Sequence, residues 1–345
     1  LSLLVCPEIG DWRLSRFACL HREGADLILE MPGSRTRCAI GDTASLDRFL
    51  AAVEPATPAA DAAHRLFCAA LHFMNALERV DGKNVADETW QFHDLFFHHR
   101  SMSGYHDAPS GATWRLKGVL PAAPLFKPVT GACQELPEPD EELAARLRRP
   151  FSEVASTRRS ARPDSKRQVT RREIAALLGA AARVQKILDD PGHRCPGTLR
   201  PSPSGGALYS LEIYLLVQEC DGLEAGAYRY EPERHRLECV PVEKTALAEY
   251  LGLNPFPRTS GAGLPQVQLV ITSRFLRLSW KYESGAYRFA LLELGALYQS
   301  IGLAATALGL ASCILGGIDA PRVAELLHLD PLAEPPLGGM TLSAP

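Results

Sequence analysis

One segment near the end of the sequence, from Tyr287 to Leu308, limits the folds that this chain can adopt. It is apolar over almost its whole length, and its strongly polar residues are Arg288, Glu293, Gln299 and Ser300. Gly309 follows directly and can end a helix in the left-handed conformation. A helix over this segment would span roughly 33 Å and, being apolar on nearly all sides, would have to be enclosed. Its charged and small residues favour enclosure by protein over lipid, so we expect a large core around it.

A buried strand and a polar loop precede this helix. Val267–Ser273 is short, apolar and β-branched, which is typical of a strand covered on both faces. The loop that follows it carries Trp280, Lys281, Tyr282 and Glu283. A lysine beside a tyrosine most often only packs at the rim of a core, so this pair gains a functional interpretation only from the motifs around it.

The composition favours a globular protein that binds small molecules or a peptide. Of the 345 residues 46% are apolar, and a net charge of −3 with dispersed basic residues argues against binding nucleic acid. The nine cysteines include no CxxC pair, and we expect reduced thiols that pack in the core. The opening LSLLVCPEIGDW lacks the basic start and long apolar run of a secretion signal, so we expect a cytoplasmic protein.

Residues 1–80 are predicted to form a small α+β module. Its strands are expected at Leu14–Leu20, Asp26–Glu30 and Arg37–Ile40, and its helices at Ser45–Val53 and Ala62–Leu77. Strands beside a helical pair suit a winged-helix-like unit, which can bind DNA or a peptide. The charge balance favours a peptide.

Residues 81–140 are predicted to connect this module to the rest of the chain. The segment from Trp90 to Arg115 is dense in aromatic residues and contains four histidines, His93, His98, His99 and His106. No cysteine or carboxylate stands at a recognised ligand spacing from them, so we predict aromatic packing and no metal site. The proline-rich run Leu120–Pro139 is predicted to be an extended linker.

The part from residue 141 to 345 contains an arginine-rich turn. Arg158, Ser160 and Arg162 provide guanidinium and hydroxyl donors within a few positions, which suits a phosphate, although a solvated basic turn has the same composition. Further on, Thr170 is predicted to cap a helix over Arg171–Val184. The turn is therefore a candidate anion site next to a well-marked helix.

Two glycine pairs follow. Pro203–Gly206 precedes a predicted strand at Leu211–Gln218, and its glycines let the backbone approach a flat ligand. The segment is neither a P-loop nor a GxGxxG dinucleotide turn. The second pair, Gly316 and Gly317, stands beside an apolar run near the end of the sequence.

Taken in order, these segments resemble the SagB-type azoline dehydrogenases, a branch of the FMN-dependent nitroreductase superfamily. The resemblance covers about residues 90 to 335 and rests on five motifs, WQFHDLFFH, RRSAR, RPSPSGGALYSLEIYLL, WKYESGAYR and LGGID. It implies a nitroreductase-like α+β fold, with a mixed sheet flanked by helices and a long central helix that forms a homodimer. It also implies flavin mononucleotide (FMN) between the subunits and a cyclodehydratase as partner. The implied substrate is a peptide whose thiazoline or oxazoline rings are oxidised to thiazoles or oxazoles.

The resemblance also implies roles for individual residues. The phosphate and ribityl chain of FMN would be held by Arg158, Ser160 and Arg162. The isoalloxazine ring would lie along Pro203, Ser204, Gly205 and Gly206, with backbone amides of Gly316 and Gly317 near its reactive edge. Lys281 and Tyr282 match the catalytic pair of the family.

The implied reaction explains why such a pair is needed. Aromatising an azoline removes a hydride, which a flavin can accept, and a proton, which needs a base. A lysine with the ordinary pKa of about 10.4 is protonated at neutral pH, so a lysine base requires burial or a nearby charge. The sequence leaves open whether Lys281 or Tyr282 takes the proton.

One departure from the family leaves alternatives open. Relatives end with a strand and a basic residue near the FMN phosphate, whereas this chain ends PLGGMTLSAP with no lysine or arginine after Arg322. Either the C-terminal part is shortened in this sequence, or the phosphate depends on the turn at Arg158–Arg162 alone. The alternatives to azoline oxidation are an NAD(P)H-dependent nitroreductase or flavin reductase, and a flavin-poor scaffold that binds peptide and cyclodehydratase. The ring type and the source of the peptide are not determined by the sequence.

Overall fold

The structure is a computed structural model, and it describes residues 12–42, 44, 47, 62–79, 88–162, 165–188, 195–253 and 263–345. The chain divides into two compact units, Leu1–Gly111 and Ala112–Pro345. The predicted helix Ser45–Val53 lies outside the described residues apart from Asp47.

The first unit is an α+β module, as predicted. Its strands are β1 (Trp12–Leu14), β2 (Cys19–Glu23), β3 (Asp26–Glu30), β4 (Cys38–Ile40) and β5 (Leu77–Arg79), and its helices are α1 (Ala62–Phe73) and α2 (Phe92–Ser101). Strands β2, β3 and β4 form an antiparallel sheet in that order, and β1 pairs with β5. Leu29 of the sheet and Leu71 of α1 are fully buried at the centre of its core.

The aromatic segment belongs to this first unit as far as Gly111, whereas the sequence assigned all of it to a connector after residue 80. Leu95 of α2 packs against the core of the unit, which explains why the compact unit extends to Gly111. His98 and His99 pack as aromatic rings, as predicted. The ring centroids of His99 and Tyr105 lie 4.2 Å apart, and those of Trp90 and His98 lie 5.5 Å apart.

The second unit is built on a seven-stranded sheet. Its strands are β6 (Cys133–Glu135), β9 (Leu211–Val217), β10 (Gly226–Glu231), β11 (Arg236–Val240), β12 (Val267–Ser273), β13 (Ala311–Leu315) and β14 (Pro336–Ser343), in the order β13-β14-β12-β9-β10-β11-β6. The short strands β7 (Lys186–Leu188) and β8 (Gly197–Leu199) form a separate hairpin. Neighbouring strands of the large sheet run antiparallel, and a parallel bridge between Ser160 and Ser312 adds to it at β13.

Helices flank this sheet. They are α3 (Glu141–Leu147), α4 (Phe151–Thr157), α5 (Arg171–Ala182), α6 (Lys244–Leu253), α7 (Leu276–Ser279), α8 (Ala286–Leu308) and α9 (Ala320–Leu326). Leu177 of α5 and Ile301 of α8 share one core with Leu215 and Leu269 of the sheet. Because strand side chains alternate between faces, Tyr214, Leu216 and Val270 point to the opposite face, where they pack with α6 and α9.

The clearest sequence signals are confirmed. Strand β12 has the predicted bounds and every residue in it is buried, as a continuous apolar run requires. Helix α8 ends at Leu308, with Gly309 in the left-handed conformation at φ 73°. Thr170 and Glu173 form a reciprocal capping box at the start of α5. Helix α8 is long and apolar enough to cross a membrane, but most of its apolar window (56%) is buried in the unit, as in a core helix.

Two expectations are corrected. The closing segment PLGGMTLSAP, to which the sequence analysis assigned no secondary structure, contributes β14, which lies between β12 and β13. The proline and the two consecutive glycines of this segment weaken the strand signal in the sequence. Packing against α8 nevertheless requires one of these glycines, Gly338. A Cβ at Gly338 would collide with the hydroxyl of Tyr298, so the strand can pass α8 only with glycine there.

The proline-rich run is the second correction, since it is not a free linker. Backbone carbonyls of Pro124 and Leu125 accept hydrogen bonds from Arg274 at 2.8 Å each, and Lys127 forms an ion pair with Glu334 at 2.5 Å. The run also supplies strand β6. Prolines cannot donate but keep their carbonyls, so this segment provides acceptors for arginines at the edge of the core.

Candidate functional site

Lys281 and Tyr282 lie directly against the glycine turn at Gly206. A Cβ added at Gly206 would lie 2.5 Å from the Tyr282 hydroxyl oxygen and 2.7 Å from Lys281 Nζ. Gly206 also has a φ of 63°, which side-chain-bearing residues rarely adopt. The structure therefore brings together two of the segments that the sequence singled out, at a position where only glycine fits.

Helix α7 positions the pair, and its own position depends on Arg277. This guanidinium is almost completely buried and donates to the carbonyls of Leu208 at 2.8 Å and Pro196 at 2.9 Å. A third bond reaches Ala123 at 3.2 Å. Burial lowers the pKa of Arg277 to about 10. The Arg277 side chain thus links α7 by hydrogen bonds to three separate backbone segments. Lys281 follows shortly after the end of this helix.

The loop from Ser204 to Ser210 is held by one buried carboxylate. Glu293 Oε1 accepts hydrogen bonds from Ser204 Oγ at 2.7 Å and from the Gly205 amide at 3.0 Å. Glu293 Oε2 accepts from the Ser210 hydroxyl at 2.9 Å and from its amide at 3.3 Å. Burial raises the pKa of Glu293, and these four hydrogen bonds oppose that rise.

This loop also contains backbone strain. Ala207 and Tyr209 have φ values of 57° and 47°, each unusual for a residue with a side chain. Strained residues persist only where their surroundings fix them. Glu293 and the bond from Tyr209 OH to the Ser202 carbonyl at 2.8 Å provide that fixation.

Aromatic rings surround the lysine. Lys281 Nζ lies 5.2 Å from the ring centroid of Trp114 and 5.2 Å from that of Tyr282, within cation–π range. The amide of Trp114 also donates to the Lys281 carbonyl at 3.1 Å. Tyr282 in turn packs on Phe289 of α8, with centroids 4.6 Å apart. Lys281 and Tyr282 are half-buried, so their functional groups remain reachable.

The arginine turn lies elsewhere on the unit. Arg158 ends α4, and its Cδ lies 3.9 Å from the position of a Cβ at Gly302, in the second half of α8. Ser160 pairs with Ser312 of β13, and the Ala161 amide donates to the Ser312 carbonyl at 3.0 Å. Ser160 and Arg162 are exposed. The turn thus sits at the edge strand of the sheet.

The second glycine pair follows β13. A Cβ at Gly316 would meet no atom within 4 Å, so open space adjoins its backbone. Gly316 is exposed and Gly317 is half-buried. Gly316 is therefore compatible with a ligand that approaches its backbone.

The predicted site residues therefore fall into two groups in one chain. Ser204 and Gly205 bond to Glu293 in the first half of α8, close to Lys281 and Tyr282, whereas Arg158 of the turn lies against its second half near Gly302. At the usual helical rise, Glu293 and Gly302 are about 14 Å apart along the axis. A single chain does not bring the two groups into one pocket.

Sequence reasoning missed Glu293, Arg277 and Trp114. A lone glutamate in an apolar helix and an arginine in an apolar turn are signals of buried polar groups that need partners. The partners themselves are distant in sequence, so the signal gives the position but not the role. Trp114 stands in a segment that the sequence assigned to a connector.

Comparisons with known proteins identify the family of this chain. The sequence pattern of the nitroreductase family matches residues 155–342, which is more than half of the chain, and that of cyanobactin oxidase ThcOx matches residues 12–107. The chain belongs to the nitroreductase family. A nitroreductase-type protein of Methanocaldococcus jannaschii, MJ1384, is 31% identical over 190 residues, which cover 54% of this chain and 90% of that protein.

Two further family members are similar. The microcin B17-processing protein McbC of Escherichia coli is 35% identical over 148 residues, covering 41% of this chain and 53% of McbC. This chain thus spans about half the length of McbC. A crystal structure of a nitroreductase from Anabaena variabilis superposes with a TM-score of 0.50 at 22% identity and covers 71% of this chain and 45% of that one. That likeness concerns the fold.

Proposed function

We propose that this nitroreductase-family protein is an FMN-dependent dehydrogenase that oxidises thiazoline or oxazoline rings of a modified peptide to thiazoles or oxazoles. The observation that carries the proposal is the contact of Lys281 and Tyr282 with Gly206. A base and a hydroxyl are held side by side, against a backbone turn that has no side chain to keep a flat ring away. The similarity to a microcin-processing protein supports a peptide as substrate.

The residues present fit FMN. Gly206 is exposed beside the two functional groups, and the missing side chain at this position is what lets Lys281 and Tyr282 reach the turn. The exposed turn with Arg158, Ser160 and Arg162 offers guanidinium and hydroxyl donors for a phosphate. In this proposal the turn holds the phosphate, Pro203–Gly206 line the ring, and the Gly316 and Gly317 amides face its edge.

The reaction requires the removal of a proton and a hydride from the azoline. FMN, when bound, supplies the two-electron acceptor. Lys281 Nζ or the Tyr282 hydroxyl takes the ring proton, and the other group holds the ring in place by hydrogen bonding. Trp114 and Phe289 cover the pair and exclude water from one side.

We also propose that the protein is a homodimer with FMN between the subunits. Helix α8 exposes apolar side chains, with Tyr287 at 42% and Leu292 at 55% exposure, and β13 exposes Ile314 at 45%. An exposed apolar stripe of this kind favours a partner surface. A second copy could place its arginine turn beside the glycine loop of the first, which would bring together the two groups that one chain keeps apart.

The partners follow from the substrate. An azoline peptide requires a cyclodehydratase that makes the ring, and we propose that the two enzymes act together in the cytoplasm. We assign peptide engagement to the first unit, because the residues assigned to flavin and proton chemistry all lie in the second.

Mass spectrometry tests the function directly. Incubation of the protein with FMN and a synthetic peptide that carries one thiazoline or oxazoline should remove two hydrogens from each ring. A protein that consumes NAD(P)H but leaves azoline peptides unchanged would instead be a flavin reductase. A protein that purifies without the yellow absorption of flavin and does not acquire it with added FMN would be a scaffold.

The dimer has a separate test. Light scattering should give twice the chain mass, and Leu292→Glu should lower that mass and weaken FMN binding together. A monomer that binds FMN as tightly as the wild type would contradict the shared site.

A further inference from the structure

The first unit contains a cavity of about 340 Å³ that takes no part in the proposed chemistry. It lies between the loop that joins β3 to β4 and the end of α2 with the segment that follows. Polar and charged side chains dominate its lining, chiefly Arg35, Arg37, His99, Arg100, His106 and Asp107. A volume of this order is typical of small-ligand pockets.

Two histidines in this cavity have buried ring nitrogens without hydrogen-bond partners in the described part of the chain. They are Nδ1 of His99 and both Nδ1 and Nε2 of His106. A buried polar group without a partner costs about 1–3 kcal/mol, and native proteins contain few of them. Three such atoms in one pocket indicate polar groups of a ligand.

Packing contacts hold the His99 ring in the wall of this cavity. Its ring lies under the turn at Gly33, where a Cβ would come 3.3 Å from His99 Cε1. The Tyr105 ring covers it at 4.2 Å between centroids. Burial, with a smaller contribution from His98, lowers the pKa of His99, so the ring is neutral at pH 7 and can donate one hydrogen bond and accept another.

The three arginines of the lining differ in how closely a carboxylate pairs with them. Arg37 forms a close ion pair with Glu23, outside the lining, whereas Arg35 and Arg100 face the two carboxylates of the lining, Glu30 and Asp107, at longer distances. Arg100 Nη1 lies 3.6 Å from Glu30 Oε2, and Arg35 Nε lies 3.9 Å from Asp107 Oδ1, both longer than a hydrogen bond. Glu30 is further shared with His21 and, at 4.0 Å, with Arg37. Arg35 donates to the Gly104 carbonyl at 3.1 Å, and the remaining guanidinium donors of Arg35 and Arg100 are those that another anion can use.

We propose that this cavity binds a carboxylate side chain of an acidic peptide segment. The carboxylate would pair with Arg35 and Arg100, and polar atoms of the peptide would meet the nitrogens of His99 and His106. The three arginines disfavour a metal cation. The inference rests on the proposed role of the first unit in peptide engagement, and it adds the chemistry that the peptide must present.

Binding of matched peptides to the full-length protein tests this proposal. The probes are a short peptide of alternating glycine and glutamate, the same peptide with glutamine, and free glutamate. Calorimetry should detect the glutamate peptide and show about tenfold or more weaker binding of the glutamine peptide, because hydrogen bonds to charged groups contribute about 1.5–3 kcal/mol each. In NMR spectra, the imidazole resonances of His99 and His106 should shift as the glutamate peptide is added, until the protein is saturated with it.

Variants locate the binding. Arg100→Met should weaken the glutamate peptide about tenfold or more, while Arg100→Lys should retain part of the affinity. Arg13→Met is the matched control, because Arg13 is an arginine of the same unit that pairs with Glu78 at 2.9 Å, outside the cavity lining. It should leave binding within about twofold, which is less than 0.5 kcal/mol.

Several outcomes would overturn the proposal. Equal binding of the glutamate and glutamine peptides would exclude a carboxylate site, and unchanged binding by Arg100→Met would exclude this cavity. Free glutamate that binds as tightly as the peptide would indicate a small-anion site instead. FMN content and oxidation of a short azoline peptide are measured on the same samples. A failure of those measurements concerns the proposed function, and a failure of peptide binding alone concerns this cavity.

Discussion

The loop Ser204–Ser210 and the turn Arg158–Arg162 are assigned to the same ligand, yet the protein holds them in different ways. The loop has a strained backbone, and the buried Glu293 holds it in place by accepting four hydrogen bonds from it. The turn is exposed and is fixed through backbone pairing with β13. The loop is therefore formed before any ligand arrives, whereas the arginine side chains of the turn can adjust to one.

This difference separates two tasks. In the proposed reaction, a ring that loses a hydride and a proton has to meet Lys281 and Tyr282 within fractions of an ångström, and a fixed loop suits that requirement. A phosphate needs charge more than exact placement, and long arginine side chains provide it. We therefore expect substitutions near the loop to affect chemistry and stability, and substitutions in the turn to affect affinity.

The largest expected effect is that of Lys281→Ala. If the lysine provides the base, ring oxidation should fall about 10²–10⁴-fold while FMN remains bound, since the flavin contacts are assigned to other residues. Mass spectrometry of azoline peptides measures the rate, and the visible absorption of the purified variant measures the flavin.

Tyr282→Phe is the companion variant. It retains the ring that packs on Phe289 and removes only the hydroxyl, so it separates proton transfer from packing. Loss of FMN in Lys281→Ala would assign the lysine a structural role. Full activity in both variants would refute the catalytic assignment.

The second effect concerns the turn. Arg158→Met should weaken FMN binding about 10- to 100-fold through the loss of charge-assisted hydrogen bonds of about 1.5–3 kcal/mol. Arg159→Met is the matched control, because Arg159 donates to the Ser156 and Arg158 carbonyls at 3.0 and 2.8 Å within its own turn. Titration of flavin fluorescence with flavin-free protein measures both. Equal affinities for the two variants would remove the turn from the site.

The same contrast explains how far the sequence predicts the structure. Val267–Ser273 and the helix up to Leu308 follow from continuous apolar runs, because these need burial whatever the rest of the chain does. The resemblance to the dehydrogenase family indicates which residues are candidates for the site. The position of Lys281 beside Gly206 is not readable from either segment alone, since it depends on how α7 is anchored through Arg277.

Tertiary hydrogen bonds also decided what the sequence missed. Glu293 stands out in its helix, but its partners Ser204 and Ser210 become neighbours only after the loop adopts positive φ values. Strand β14 pairs with β12 on one side and with β13 on the other, and this pairing outweighs the weak preference of its sequence for strand structure. Local patterns thus predicted the elements with one long apolar stretch, and not those defined by partners far away in sequence.

The third effect tests the fixed loop. Glu293→Gln replaces one acceptor oxygen by an NH₂ group, which cannot accept from the Ser204 or Ser210 donors it would face. We expect a loss of about 1–3 kcal/mol in the free energy of unfolding, the cost of leaving buried donors without partners. Denaturant unfolding measures it. Gln299→Ala, an exposed position on the same helix, should change stability by less than about 0.5 kcal/mol. Equal stability of the two variants would show that Glu293 does not hold the loop.

The smallest effect is a pH dependence that only the fixed loop should show. Burial raises the pKa of Glu293 in the folded protein above the ordinary value of 4.5. In the window above 4.5 the unfolded chain has already released this proton while the folded protein retains it, so the group favours folding at low pH. That contribution is lost as the pH rises through the folded pKa.

Glu293→Gln has no such proton, so the stability difference between wild type and variant should shrink over this window and then level off. Unfolding curves measured from pH 4 upward test the sign, and Gln299→Ala should run parallel to the wild type throughout. A difference that instead grows with pH would mean that the four hydrogen bonds outweigh burial and that the carboxylate is charged in the folded loop.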